Sequence, residues 1–371
     1  MSEFIQIHAL TVYPPGNLNR DDLGRPKTAI FGGTQRLRIS SQSLKRAWRT
    51  SEIFSGALTG SLGSRTKEIG NYAYDTLVEK GVASDRADEQ SKRIAGVFGK
   101  IKGVSGGEGK KSAKASKEEK ADKETAKRAA EGRQIEQLAH IGAAEMTALD
   151  GLLERIASGD TPSDDECAAL LLDAHGAADI ALFGRMLAST PQKNVDAAVQ
   201  VAHAITVHKV TVEDDYFTAV DDLNDGSEDA GAAHIGTTEF ASGVFYQYIC
   251  INRSLLEENL AGNRDLASLA RRALVEACTK IAPSGKQNSF ATRARAVYML
   301  AERGDEQPRN LAMAFLKPVT GDDLLESAIR LLEETRDRMD RVYGPCAREH
   351  YSFNVPAGEG SLQELLEFVA K

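Results

Sequence analysis

Between residues 36 and 49 the side-chain pattern changes period, and that change limits what the chain can fold into. In RLRIS, Arg36, Arg38 and Ser40 alternate with Leu37 and Ile39. That is the period-two signature of a short strand with one cationic and one buried face. At Ser41-Gln42-Ser43 the alternation stops. Ser41 or Ser43 is a suitable N-cap for a helix that carries Leu44, Lys45, Ala47, Trp48 and Arg49.

The same mixture recurs along the chain. FIQIHALTV (4–12) alternates as a strand with Ile5, Ile7 and Ala9 on one face. Pro14-Pro15-Gly16, Gly24 and Pro26 mark a loop, and Gly32-Gly33 a turn. Residues 50 to about 175 read as helical, with Ala-rich amphipathic runs such as 134–157. Inside them, residues 99–128 hold nine lysines and no aromatic residue, and read as a loop running into a solvated helix. KNVDAAVQVAHAITVH (193–208) has helical apolar spacing or ends in a strand. GVFYQYICI (243–251) is aromatic and β-branched, a strand. A helix is expected at about 264–281. ARAVYMLAE (294–302) and NLAMAFLKP (310–318) read as strands, with a helix as the alternative for either. Amphipathic helices at about 321–342 and 361–370 close the chain. The expected fold class is α+β, its core split by insertions.

Charge is unevenly placed. The chain carries 54 Asp and Glu against 46 Lys and Arg, a net charge of −8. Residues 20–49 nevertheless hold eight cations (Arg20, Arg25, Lys27, Arg36, Arg38, Lys45, Arg46, Arg49) and two acids, Asp21 and Asp22. Such a local excess points to an anionic partner. The free N–H groups of a helix start attract anions, and Ser40, Ser41, Gln42 and Ser43 add neutral donors there. Lys45 and Arg49 share one helix face by their i, i+4 spacing. The sum suits a nucleic-acid backbone, against the plainer alternative of a salt-bridged surface.

Other chemistries fit poorly. GGEGKKS (106–112) fails the phosphate-loop pattern at Val104 and Lys111, and APSGKQ (282–287) fails it at Gln287. The histidines show no His-Glu-x-x-His, and no Gly-x-Ser-x-Gly elbow is present. The four cysteines form no Cys-x-x-Cys and read as reduced thiols of a cytoplasmic protein. No stretch approaches the roughly 18 apolar residues of a membrane helix, and the start lacks signal-peptide features. No metal or cofactor is expected. Asp21-Asp22 is the one constellation that could hold a divalent ion near a phosphate, against a reading as loop carboxylates paired with Arg20 or Arg25.

LNRDD (18–22), AIFGGTQRLRISSQSLKRAWR (29–49), DIALFGRM (179–186), AHAITVH (202–208), DYFTAVDDL (215–223) and HIGTTEFASGVFYQY (234–248) together resemble the CasC family, the backbone subunits of type I-E CRISPR Cascade surveillance complexes. The likeness is close over 1–50 and 179–250, looser at PSGKQ (283–287) and in the C-terminal third, and weak over 60–165. It implies a ferredoxin-like (RRM-like) palm from residues 1–55 and 179–371. A helical fingers insertion would occupy 56–178, including the Lys-rich loop 99–128, and a thumb 209–242. It implies no enzymatic activity. About six copies would stack along a CRISPR RNA in a helical filament with other Cascade subunits, and the thumb would kink the guide about every sixth nucleotide. The guide would pair with target DNA, whose cleavage is left to a recruited helicase-nuclease.

By the same resemblance, RNA contacts map onto Arg20, Lys27, Ser40, Gln42, Lys45, Arg46 and Arg49 in the palm. Arg185 and Met186 would lie at the RNA, with Met186 a wedge against a base. Tyr216, Phe217 and Thr218 match an aromatic-aromatic-Thr element of the thumb, Ile235 an apolar residue at the kink, and Lys286 and Gln287 a backbone-touching loop. Residues 211–240 carry nine acids and no base. Those acids are expected to face a neighbouring copy's basic palm while the apolar side chains act on bases. Lys114, Lys117, Lys120 and Lys123 recur every three residues and are candidates for contact with duplex DNA, a solvated loop being the alternative. Two rival functions remain at this point. One is a metal-dependent ribonuclease on the same fold, using Asp21 or Asp22; the other is a stand-alone nucleic-acid-binding regulator.

Overall fold

FIQIHALTVYPPG forms the central strand of the computed structural model, which describes residues 3–103, 127–219 and 234–371. In chain order the strands are β1 (Phe4–Gly16), β2 (Thr28–Phe31), β3 (Thr34–Ile39), β4 (Ser64–Thr66), β5 (Ala139–Ile141), β6 (Val199–Val201), β7 (Ala204–Thr206), β8 (Glu213–Ala219), β9 (His234–Asn252), β10 (Ala296–Gly304) and β11 (Glu349–Asn354). The chain divides into two units. The first comprises 1–58, 199–256 and 264–371; the second comprises 59–198 with 257–263.

The first unit holds one sheet in the order β11-β10-β1-β9-β7-β3-β2, with β6 and β8 also paired to β9. β10, β1, β9 and β6 are antiparallel neighbours. Helix α1 (Ser41–Arg49) and helix α2 (Glu52–Ala57) follow β1, and the helix Arg264–Lys280 joins β9 to β10. This is the β-α-β-β-α-β ferredoxin-like arrangement, so the fold is α+β as the sequence predicts. Most of the second unit, 59–198, enters the sequence between α2 and β6.

β1 is covered on both faces. Ile5 and Ile7 are fully buried, but so are Gln6, His8 and Leu10 on the alternate positions. Leu10 packs with Tyr246, Tyr298 and Leu300 against Leu311, Phe315 and the helix Leu324–Tyr343. The buried polar groups are paired, as burial demands: the His8 ring bonds the Tyr246 hydroxyl at 2.9 Å and Glu302 at 3.2 Å.

Two expectations change here, and one open alternative closes. NLAMAFLKP is not a strand; Leu311–Phe315 is a 3₁₀ turn, started by Asn310 Oδ1 accepting the Ala312 N–H. Leu311 and Phe315 are both buried. Residues 193–208 take the second of their two readings, ending in the short strands β6 and β7. In the run 134–157, only Ala143–Ala157 is helical, and β5 precedes it.

The second unit is mainly helical. Ile69–Glu79, Ser84–Phe98 and Ala143–Ala157 are its long helices among the described residues, and β4 and β5 form its two-stranded sheet. Their apolar faces meet in one core that includes Leu77, Ile94, Phe98, Leu149, Leu153 and Leu187. Lys114, Lys117, Lys120 and Lys123 lie outside the described residues, as does 220–233 of the expected thumb. Among the described residues no helix is long and apolar enough to cross a membrane.

Candidate nucleic-acid interface

β3 passes directly into α1, and the residue between them caps the helix. Ser40 has extended backbone angles (φ −68°, ψ 143°), and its Oγ accepts the Ser43 N–H at 3.3 Å. The cap is therefore Ser40, not Ser41 or Ser43, because the N-cap is the last residue to keep non-helical angles. Its side chain, 7% exposed, is committed to the helix. The next free donor, Ser41 N–H, is taken by His203 Nδ1 at 2.8 Å. With Nδ1 accepting, the neutral ring carries its proton on Nε2. Burial, then Arg38 and Lys27, lower the pKa of His203 and favour that neutral form.

Leu44 and Trp48 bury one side of α1 and turn the rest outward. Arg20, Asp21, Ser43 and Arg46 line a cleft of about 380 Å³ with Asn19, Thr50 and Ser284. Lys27 and Arg38 line an adjoining smaller cleft that also touches Asn19. Gly285 permits this closeness: a Cβ there would stand 2.2 Å from Leu18 O. Lys286, in the left-handed conformation at φ 52°, is exposed beside it. Gln287 instead holds its own loop, donating to Pro283 O at 3.0 Å and Thr292 Oγ1 at 3.1 Å. Gln42 is exposed at the helix start. Among the described residues none of Arg20, Lys27, Arg38, Lys45 and Arg46 has an ion-pair partner. Arg49 is half-buried and makes an interaction of its own within the chain.

Arg36 does not share the cationic face expected of it. It is fully buried, donating through Nη1 to Thr206 O and through Nη2 to Phe315 O, each at 2.9 Å. Asp21 is also occupied. Its Oδ1 accepts the N–H groups of Leu23 and Arg25, both at 2.9 Å, which closes the turn after Arg20. Among the described residues no three His, Cys, Asp or Glu side chains converge as metal ligands would.

β8 pairs with the first part of β9 as a hairpin, and all seven residues of β8 are exposed. Tyr216 lies opposite Thr237, Phe217 opposite Gly236 and Thr218 opposite Ile235. Phe217 lays its ring on the Gly236 backbone, where an added Cβ would meet ring Cζ at 2.4 Å. Tyr216 and Ile235 remain 63% and 59% exposed. Glu213, Asp214 and Asp215 stand on the same strand, so the hairpin offers apolar and acidic groups together.

In the second unit, Arg185 and Met186 part company. Arg185, expected at the RNA, is 5% exposed, and its Nη1 binds both carboxylate oxygens of Glu145 at 2.7 Å. Its other nitrogens donate to Lys193 O. The guanidinium is spent inside the fold and does not reach a surface anion. Met186 next to it is 71% exposed. It borders a groove of about 250 Å³ with Phe98, Leu138 and Leu187.

His203, Arg38, Asn19 and Ser284 belong to the interface without having been singled out as contacts. Arg38 was visible in the local charge cluster; His203 is brought to Ser41 only by the pairing of β7 with β3.

The chain is similar over 99% of its length to a chain of the "CRISPR RNA-guided surveillance complex, pre-nicking", at 28% identity and a TM-score of 0.79. It is similar over the same share to a chain of a "CRISPR RNA-guided surveillance complex", at 25% identity and a TM-score of 0.69. In both cases 99% of the other chain is covered. No curated protein sequence matches. Residues 5–365 match one family throughout, and the chain belongs to that family, the CT1975-like proteins.

Proposed function

We propose that the chain is a CRISPR RNA-binding backbone subunit of a type I-E Cascade complex, with no catalytic activity of its own. The observation that carries this reading is the group of cations around a helix start that have no ion-pair partner among the described residues. Arg20, Lys27, Arg38, Lys45 and Arg46 supply charge-assisted donors, and α1 adds its partial positive end. Contacts of this kind position a nucleic acid without reading its sequence, which suits a subunit that must accept any guide. The likeness to chains of CRISPR RNA-guided surveillance complexes supports the same partner.

In this reading about six copies stack along the guide with other Cascade subunits in the cytoplasm. The hairpin's apolar side chains, with Met186, kink the RNA at about every sixth nucleotide. The intervening bases pair with target DNA, and a recruited helicase-nuclease cuts it. The acidic hairpin and the cationic cleft are complementary surfaces for head-to-tail stacking.

Co-expression with the partner subunits tests the proposal. Guide RNA is expected to co-purify, and its retention should fall with salt at a log–log slope of about −0.7 per phosphate contact. A matched pair of unrelated guides should bind alike. A monomer or dimer that carries no RNA despite its partners would point to a stand-alone regulator. Magnesium-dependent cutting of complementary RNA by the assembled complex would point to a ribonuclease.

A further inference from the structure

Met186 projects from a segment whose neighbours are all fastened. Arg185 and Leu187, on either side, are 5% and 3% exposed, while Met186 is 71% exposed. The Arg185 backbone exchanges two hydrogen bonds with Val195, both at 2.9 Å. Leu187 N–H donates to Asn194 Oδ1 at 2.6 Å, and the Leu187 side chain joins the core of the unit. Gly184, at φ 83°, makes the turn into this segment from the helix Ala178–Phe183, 3.0 Å from Val195 O as measured from an added Cβ.

The anchor beneath these contacts is Glu145, which is fully buried in the first turn of Ala143–Ala157. Oε1 accepts from Leu172 N at 3.1 Å and Oε2 from Gly142 N at 2.7 Å, and both accept from Arg185 Nη1. Every acceptor direction of the carboxylate is used, so it has one geometry. A side chain whose own position is locked in this way can set the position of a neighbour.

We infer that Glu145 is a positioning residue: through its buried ion pair with Arg185 it holds 184–189 so that the Met186 side chain stands out from the surface. The inference rests on the proposed role of Met186 at the guide RNA. Glu145 touches no RNA in this account. Its effect travels through Arg185 and the paired backbone at Val195, a contiguous chain of contacts.

The test compares full-length variants labelled with ¹³C-methyl methionine and assembled with guide RNA. In Glu145→Gln the Met186 methyl resonance should broaden or split, while that of Met299, buried in the other unit, stays in place. Guide retention should be unchanged, and target DNA affinity should fall by roughly two- to thirty-fold. Asn194→Ala loosens the same segment from an exposed position and should show a weaker version of both effects; it carries the test if Glu145→Gln does not fold. Leu149→Ala, on the same helix and in the core of the same unit, is the control for a general loss of stability. An unmoved Met186 methyl in both Glu145→Gln and Asn194→Ala overturns the inference. So does an equal loss of target binding in Leu149→Ala, which would make Glu145 merely structural. Met186→Ala separates the underlying reading: if it binds target normally while Glu145→Gln still moves the methyl, the positioning stands and the wedge fails.

Discussion

The cations around α1 live differently from the ion-paired arginines of the second unit. Around α1, Arg20, Lys27, Arg38, Lys45 and Arg46 have no ion-pair partner among the described residues. In the second unit, Arg93 pairs with Asp164, Arg133 with Asp88, Arg155 with Asp160 and Glu166, and Arg185 with Glu145. In the second unit these charges hold the chain together, as Arg253 with Glu3 and Arg309 with Glu302 do in the first; around α1 they face outward at a cost in self-repulsion that an outside anion relieves. Density of charge in the sequence does not tell the two apart. Arg36 sits in the densest cationic stretch and is an interior residue, whereas Lys45, nine positions on, is not. The distinction is set by what the fold brings within reach.

The sharpest way to break this contrast is Arg185→Ala. It strips the counter-charge from a fully buried Glu145. Loss of one partner from such a pair costs about 3–5 kcal/mol. Melting of the free subunit should show that loss directly. A variant that melts like the parent would mean that Arg185 is available for other partners after all.

Protons probe the same interior. His175 is 1% exposed; its Nδ1 accepts the Ala177 N–H, and burial first, then the Arg185 charge, lower its pKa to about 4. The unfolded chain takes up this proton near pH 6.5, the folded one only near 4. The unfolded state therefore binds more protons between those values. The stability contributed by neutral His175 is complete above about 6.5 and is lost as pH falls towards 4, by up to about 3 kcal/mol. His8, whose pKa burial also lowers, adds loss of the same sign. His175→Asn keeps an acceptor for Ala177 and removes the titration, so its stability should fall less steeply over that window in denaturant melts. Parallel curves would show that His175 does not titrate as an isolated buried ring.

The parts legible in the sequence were the local ones. The alternation of β1, the aromatic run of β9 and the junction at α1 each follow from neighbours in the chain. Arg20, Lys45 and Arg46 could be read as a cluster for the same reason. What was not legible depends on distant residues. The acceptors that bury Arg36 lie at Thr206 and Phe315, and the acid that buries Arg185 lies forty positions upstream. His203 reaches Ser41 across 162 positions of sequence. NLAMAFLKP misled for another reason: its apolar content fits a strand or a helix equally, and the cap at Asn310 decides for one 3₁₀ turn.

Phe217 sharpens the comparison from the hairpin side. It is 42% exposed and rests on Gly236, so it is not a core residue. Phe217→Ala should cost only about 0.2–1 kcal/mol, the worth of one cross-strand pair. Guide RNA should still be retained, since the phosphate contacts remain. Target DNA binding should weaken, because stacking or wedging against a base is worth about 1–3 kcal/mol. A large fall in melting temperature would return Phe217 to a structural role, and normal target binding would remove it from the kink.

The smallest effect on folding should come from Lys45→Ala with Arg46→Ala, and it is the most informative. Arg46 is exposed and Lys45 half-buried; neither has an ion pair among the described residues. Burial alone lowers the pKa of Lys45, which is what a lysine without a carboxylate beside it should show. Surface substitutions away from caps and pairs change stability by under about 0.5 kcal/mol. Removing two like charges from an uncompensated surface could even raise it slightly. The double variant should thus melt like the parent and lose guide RNA, with a salt dependence shallower by about 0.7 in log–log slope for each contact removed. Lost RNA with an unchanged slope would mean that these side chains act through shape rather than charge. A lowered melting point would place them with Arg185, among the cations that hold the fold.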